Sequence, residues 1–425
     1  MSKFGSTPRL AAALALAFAA WHAHGQTSQP PAAAASAAQE AARPQVGQAL
    51  TTAQALIKEG KHADALAKLR EAEATPDLTP YEKFFIDRIR AAAALGAGDM
   101  PLAIKSLDAA LATGRLAGDE LRDVLRALAD MSYRTKNYAR AVTEAQRYFK
   151  EGGNDPAVRR AMVNSMYLGG DHAAAARELA ADVQAQESAG QAPSEQLLRM
   201  LASSQAKTND EAGYTATLEK IVARYPKPEL WSDLISRVQS RPGFSEHLRL
   251  DAYRLRLAAG ALSQAGEYAE MAQLALQAGY PAEAQKVLEA GYAKGLLGTG
   301  PNAKVHQQLR EQARKQASAD APQLAQAAAS ASGRDGNSLV SVGYALVTAG
   351  QADKGATLIE QGLAKGGVKR PEDAKLHLGI AQWMAGQKEA AAKTLKSVQG
   401  SNGTADLARL WALLAQGPAT TVAQQ

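Results

Sequence analysis

The amino-acid sequence predicts an all-α protein built from stacked helical hairpins, and two observations lead to this fold class. The 425-residue chain is 46% hydrophobic but only 5% aromatic, and it is rich in alanine. Such a composition favours closely packed helices over β-sheets. In addition, a turn residue followed by a small residue five positions later, and usually by a large apolar residue after four more, recurs along the chain. Because one hairpin cannot bury its apolar face alone, the repeats are expected to stack.

The first 25 residues have the pattern of a secretory signal peptide. Lys3 and Arg9 precede the apolar run at residues 10–20, and Ala23-His24-Gly25 places small residues before a cleavage site at Gln26. This run is too short to span a hydrocarbon core, which takes about 20 residues. We therefore expect export to the periplasm of a Gram-negative cell, cleavage after Gly25 and no stable membrane insertion afterwards.

A leader and a series of repeats are expected to follow the cleavage site. Residues 26–45 are mainly Ala, Pro and Gln, which predicts a flexible leader. The turn residues that mark the repeats are Gly60, Gly98, Lys136, Gly170, Asn209, Gly279, Gly350 and Gly386. The two long gaps after Asn209 and Gly279 each hold one divergent unit. The resulting divisions are an N-terminal repeat block (46–226), middle repeats (227–301), a divergent hinge-like unit (302–335), a C-terminal repeat block (336–415) and a tail (416–425).

The repeat resembles the tetratricopeptide repeat (TPR) family. Lys136-Asn137-Tyr138 with Ala141 carries the family's turn, aromatic residue and small residue at the start of the second helix, and the other units are Ala-rich variants. The resemblance implies a right-handed superhelical solenoid of about eight to ten units whose concave side binds peptides. A narrower resemblance, over residues 225–231, 248–260 and 267–298, is to exported bacterial TPR proteins encoded near TonB-type energy-transduction systems.

Composition and motifs argue against several classes of function. The chain has no cysteine, which excludes disulfides, thiolate metal sites and cysteine nucleophiles. Its formal charge of +6 is a weak field for this length, so nucleic acid is not an expected partner. The five histidines beyond the signal peptide lack metal-ligand spacing, and no motif of a known enzyme class is complete. We therefore expect no enzymatic activity, no metal and no cofactor.

A column of arginines is the candidate binding site. Arg88, Arg126, Arg160 and Arg199 each lie ten residues before a turn residue, at the same position of four successive first helices. Tyr133, Asn164 and Tyr167 share this helix face at spacings of four and seven residues. Stacked guanidinium groups would bind an acidic peptide or a C-terminus. In the alternative interpretation the arginines are solvated, or paired with acidic neighbours such as Asp87, Asp123 and Asp130.

The corresponding positions of later repeats are apolar, namely Ala269, Val340 and Leu376, which predicts a hydrophobic partner there. Together these features predict an exported, non-enzymatic scaffold that binds a protein or peptide in the cell envelope. An adaptor in envelope assembly or polysaccharide export is one alternative. A carbohydrate- or wall-processing enzyme on a helical solenoid is the other, and it would require paired carboxylates at a cleft.

Overall fold

The computed structural model describes residues 41–417, and this part of the chain is entirely helical. It contains twenty α-helices and two short 3-10 turns, with no β-strand among the described residues. The predicted all-α fold class is therefore confirmed. The predicted signal peptide, most of the leader and residues 418–425 lie outside the described residues. No helix of residues 41–417 is both long enough and apolar enough to cross a membrane.

The chain divides into two compact units, Met1–Ala181 and Asp182–Gln425. The described part of unit 1 consists of four hairpins, each formed by two consecutive helices. The helices are α1 (Pro44–Lys58), α2 (His62–Glu73), α3 (Pro80–Ala97), α4 (Met100–Ala112), α5 (Gly118–Arg134), α6 (Tyr138–Lys150), α7 (Pro156–Leu168) and α8 (His172–Ser188), the last of which crosses the boundary between the units.

Unit 2 adds five hairpins, one long helix and a closing helix. The hairpins are α9 (Glu195–Lys207) with α10 (Glu211–Arg224), α11 (Pro228–Gln239) with α12 (Arg249–Ala258), α13 (Ala265–Gln277) with α14 (Pro281–Ala293), α16 (Gly336–Thr348) with α17 (Ala352–Lys365), and α18 (Pro371–Met384) with α19 (Lys388–Lys396). The divergent segment 302–335 holds the 27-residue helix α15 (Ala303–Ala329) in place of a hairpin. Helix α20 (Thr404–Gln416) follows the last hairpin. Nine hairpins among the described residues agree with the predicted number.

The turns between paired helices use the left-handed backbone conformation that the repeat marks predict. Gly98 has a φ of 79°, a value that glycine adopts without steric cost. Lys136 and Asn209, the two marks without glycine, have φ values of 62° and 56°. The position in the repeat therefore imposes this conformation even on residues with a side chain, at some cost in backbone strain.

Small residues let the paired helices approach closely. Ala91 of α3 and Ala103 of α4 are both buried in one apolar cluster. The closest pair is α16 with α17, where Gly343 faces Gly355 and Gly336 faces Gly362 backbone to backbone. Each of these pairs leaves no room for a β-carbon, so the sequence is restricted to glycine there.

Unit 2 closes on itself, because its last helices pack against its middle hairpins. Helix α20 contacts α10, α11 and α12. The Arg241 guanidinium donates to Asp406 at 2.9 Å, and the Ser245 amide donates to the Asn402 carbonyl at 2.9 Å. Half of the residues of helix α18 are buried. The predicted hydrophobic partner site is wrong at Leu376 and Val340, whose side chains are buried by the protein's own packing.

Candidate functional site

The first helices α5 and α7 of unit 1 each keep one face open. Their buried residues lie on one side, and on the other side the same three repeat positions carry polar or aromatic side chains that are partly or fully exposed. We call this surface the α5–α7 face; it consists of Arg126, Asp130 and Tyr133 on α5 and Arg160, Asn164 and Tyr167 on α7. The predicted stripe of binding residues thus lies outside the hydrophobic core in these two repeats.

Arg88, the first member of the arginine column, fastens two repeats together. Its guanidinium forms an ion pair with Glu120 of the next repeat and lies over the rings of Phe84 and Phe85. Only 13% of its side chain is exposed, and burial lowers its pKa below the ordinary value for arginine. A partner could reach this guanidinium only by displacing the protein's own contacts.

Arg126 is also engaged within the protein, although it is more exposed. It donates to Asp123 at 2.9 Å, and its other terminal nitrogen lies 4.0 Å from Asp155 at the start of α7. Asp130 lies 3.8 Å from Arg134 instead, and Asp87 pairs with Arg90. The interpretation of arginines paired with acidic neighbours therefore describes Arg126, whose partner is Asp123, and also Arg88, whose partner is Glu120.

The α7 part of the face is more open. Arg160 is exposed, and Asn164 beside it is half-buried. The ring of Tyr167 packs edge to face on His172 with centroids 5.3 Å apart. In the α5–α6 hairpin, the ring centroids of Tyr133 and Tyr138 are 6.1 Å apart. The two tyrosines are thus held by aromatic contacts while part of each side chain stays accessible.

The fourth arginine of the column, Arg199, lies in unit 2. It donates to Glu195 of its own helix at 2.7 Å, and Lys227 binds the same carboxylate at 2.8 Å. These contacts lower the pKa of Glu195 below its ordinary value. Arg199 therefore belongs to a local ion-pair network at the exposed start of α9.

An open depression of about 490 Å³ lies beside the α5–α7 face. Its lining is charged, with two arginines, three aspartates and one tyrosine: Arg122, Arg126, Asp119, Asp123, Asp155 and Tyr148. The Tyr148 hydroxyl accepts a hydrogen bond of 3.1 Å from the Asp155 amide, and Asp155 caps α7 by accepting from the Ala157 amide at 2.7 Å. Two of the lining residues, Tyr148 and Asp155, are therefore joined by a hydrogen bond across the turn between α6 and α7.

A second cluster of charged residues is buried in unit 2, and sequence reasoning missed it. Arg254 on α12 makes two hydrogen bonds of 2.7 Å to Glu283 and one of 2.7 Å to Asp251. Asp251 also lies 3.1 Å from Nε2 of His377 on α18, whose ring stacks on Tyr344 at 3.7 Å. Burial alone would raise the pKa of Asp251, but His377 and Arg254 outweigh that effect and hold it well below its usual range.

This cluster joins the middle and the end of unit 2. A second contact of the same type lies one helical turn away, where His247 Nε2 is 2.8 Å from Asp373. His247 thus pairs with Asp373, and Asp251 pairs with His377, so each of the two chain segments contributes one histidine and one aspartate. The buried Asp251 and the half-buried Glu283 are held on one guanidinium, and Asp251 also takes part in the closure of unit 2 through His377. Among the described residues, no group of three or more His, Asp or Glu side chains could hold a metal ion.

Comparisons with known proteins find similarity only at the level of three-dimensional structure. No family model matches the sequence, and no curated protein matches it. Among solved structures, the Naa15/Naa10 complex bound to HypK-THB has 14% identity and a TM-score of 0.29, with 85% of this chain and 64% of that chain covered. The TPR domain of P58(IPK) has 13% identity and a TM-score of 0.23, with 87% and 97% covered. The pentatricopeptide repeat protein PPR10 from maize has 13% identity and a TM-score of 0.27, with 96% and 66% covered.

This chain is similar to helical repeat proteins of the TPR and pentatricopeptide type. It spans less than two thirds of the length of the Naa15/Naa10 and PPR10 chains. With TM-scores this low, the assignment of the repeat fold depends on the paired helices of the chain itself.

Proposed function

We propose that this protein is an exported, non-enzymatic scaffold of the cell envelope that binds a segment of another protein on the α5–α7 face of unit 1. The observation that supports it best is the open face itself. Two successive first helices present an arginine, an Asp or Asn, and a tyrosine at equivalent positions, and none of these positions is used to fill the core. Tyrosine and arginine are the residues that most often dominate protein interfaces.

A segment with a carboxylate, such as an acidic peptide or a C-terminus, is the partner that the arginines favour. Arg160 is accessible to it directly, whereas at Arg126 it would compete with Asp123. The amide of Asn164 supplies a further hydrogen bond to an extended backbone, and the partly accessible rings of the two tyrosines supply contact area. Specificity would come from the spacing of these groups along a rigid pair of helices.

Export is part of the proposal and has its own test. The charged start, apolar run and small residues of the first 25 positions support secretion to the periplasm. N-terminal sequencing of protein purified from a Gram-negative periplasmic fraction should then begin at Gln26. A chain that keeps Met1 and stays in the cytoplasmic fraction would contradict this location. The bound segment could belong to a component of a TonB-type energy-transduction or transport system.

The binding proposal can be tested by capture from an envelope extract. The mature chain and an Arg160→Glu variant would serve as bait, with Lys150→Glu as the control because it reverses an exposed charge on α6, a helix that carries no residue of the face. Each bait would first be shown to have equal helical content. A protein retained by the mature chain and by the control, but lost with Arg160→Glu, is expected. Equal retention by all three baits would place the binding site elsewhere.

A further inference from the structure

We propose that the segment bound at the α5–α7 face is extended and carries a large apolar side chain four residues from its carboxylate, with Leu168 as the contact for the apolar side chain. This inference rests on the proposed function, because it specifies the segment that the same face would bind. Leu168 is the last residue of α7, and it follows Asn164 by one helical turn on the open side of that helix.

Leu168 exposes an apolar side chain that the fold leaves uncovered. Half of its surface, 50%, is accessible to solvent, whereas Met166 in the same turn is buried. The other large apolar residues that are exposed in the described part of the chain are Val305 and Met384, and both lie in unit 2. Within the described residues of unit 1, Leu168 is therefore the only large apolar side chain with this degree of exposure.

The repeat does not require an apolar residue at this position. Leu168 lies two residues before the turn residue Gly170. The equivalent residues of four other first helices are all exposed, and three of them are charged: Lys58, Gly96, Arg134 and Lys207. A leucine here therefore does not serve the packing of the hairpin, which leaves contact with a partner as its use.

Aromatic side chains extend this apolar surface from α7 towards α5. Tyr167 precedes Leu168 and is partly accessible. A β-carbon at Gly169, the next residue, would lie 3.1 Å from Cβ of Tyr138, which places Tyr138 beside the end of α7. The ring of Tyr138 lies 6.1 Å from the ring of Tyr133 on α5. Leu168 is thus part of a continuous apolar and aromatic edge, whereas an exposed leucine standing alone would need no explanation.

The opposite end of α7 carries charge, and the distance between the two ends sets the spacing in the partner. Arg160 is exposed and lies eight residues before Leu168, which is about 12 Å along the helix. An extended segment covers about 3.3 Å per residue, so four residues reach from one side chain to the other. Side chains four positions apart also point to the same side of an extended segment, whereas side chains three positions apart point to opposite sides.

The experiment is the selection of peptides on the immobilised mature chain from a random twelve-residue library, displayed in several copies on each phage. Several copies compensate for the modest affinity of one small contact. The selected peptides should contain an Asp or Glu and a Leu, Ile, Met or Phe four positions apart, in either order. Spacings of three and five should be no more frequent than in the unselected library.

Two variants assign the two preferences to their residues. Leu168→Gln should abolish the selection of the apolar residue, keep the selection of the acidic residue, and weaken binding of a peptide with both groups by about fivefold, because an open surface buries the apolar side chain only in part. Arg160→Gln should abolish the selection of the acidic residue. Met384→Gln is the matched control, because Met384 is 47% exposed and lies in unit 2. Equal thermal melts of all variants would exclude unfolding as the cause.

The outcomes separate this inference from the proposed function. Acidic peptides without an apolar residue at a spacing of four, or the same peptides selected by Leu168→Gln, would overturn the inference, and the proposed function would stand if their selection still required Arg160. Selection that is identical on the wild-type chain and on Arg160→Gln would contradict both. If no peptide is selected, the inference fails, and capture with the Arg160→Glu bait decides separately whether the face binds a protein.

Discussion

Replacing Gly343 with alanine is expected to destabilise the hairpin of α16 and α17. A β-carbon at Gly343 would lie 2.8 Å from the Gly355 carbonyl oxygen and 2.8 Å from Cγ1 of Ile359. Carbon atoms in favourable contact are about 3.5–4.0 Å apart, so the helices would have to separate. The contact is reciprocal, because a β-carbon at Gly355 would lie 2.5 Å from the Gly343 carbonyl oxygen. Neither side can therefore relieve the clash by rotating a side chain.

Two opposing effects set the size of the change. Alanine is better than glycine in a helix by about 0.8–1.0 kcal/mol. Overpacking a well-packed interface costs about 1–3 kcal/mol, and occasionally more. Because the obstacle here is backbone, we expect the upper part of that range and a net loss of about 1–2 kcal/mol.

The matched control is Gly47→Ala. Gly47 lies inside α1, and no atom comes within 4 Å of a β-carbon built there. Alanine should stabilise this helix by about 0.5–1 kcal/mol, because only the conformational cost of glycine is removed.

Stability would be measured by denaturant unfolding followed by far-UV circular dichroism. Hydrogen exchange of the α16 and α17 amides would localise the change, since repeat units can unfold separately. A Gly343→Ala variant as stable as the wild type, with unchanged protection in these two helices, would refute the argument that close backbone approach requires glycine.

Three further predictions follow from the charged contacts. Arg88→Glu should lower the free energy of unfolding, because it would place a negative charge beside the half-buried Glu120. Arg160→Glu should change the free energy of unfolding by less than about 0.5 kcal/mol, because Arg160 is exposed. Thermal melts of both variants check this, and equal effects would contradict it. Arg43 and the cap of α3 lower the pKa of Glu82 to about 2, so its contribution to stability is present above about pH 4.5 and is lost as the pH falls towards 2. Glu82→Gln should therefore make the free energy of unfolding less dependent on pH between about 4.5 and 2. The same pH dependence in the variant and the wild type would show that Glu82 does not cause it. Alanine at Asp251 and at His377 should destabilise unit 2 non-additively in a double-mutant cycle, because each change removes the same contact: without Asp251, His377 loses its partner, and without His377, the buried Asp251 keeps only Arg254. Strictly additive effects would show that the contact does not hold the closure.

Local patterns in the sequence were sufficient to predict the hairpins. The turn at Lys136 and the small residue at Ala141 lie in one short stretch of chain, and the structure gives both their predicted roles. The exposed stripe on α5 and α7 also followed from helical periodicity, because its members are four and seven residues apart on one helix. The hairpin turns and the exposed stripes depend on residues close together in the chain, so residue type and spacing are sufficient to predict them.

Tertiary structure alone decided which of these residues remain available. Glu120 occupies Arg88 from the next repeat, whereas Arg160, with the same spacing in the sequence, is exposed. His377 and Asp251 meet although 126 residues separate them, and their contact belongs to the closure of unit 2. Repeat spacing describes how each hairpin folds and stacks on its neighbours. Repeat spacing does not predict that the last helices of unit 2 pack against its middle helices, because the side chains that make this contact share no local sequence pattern.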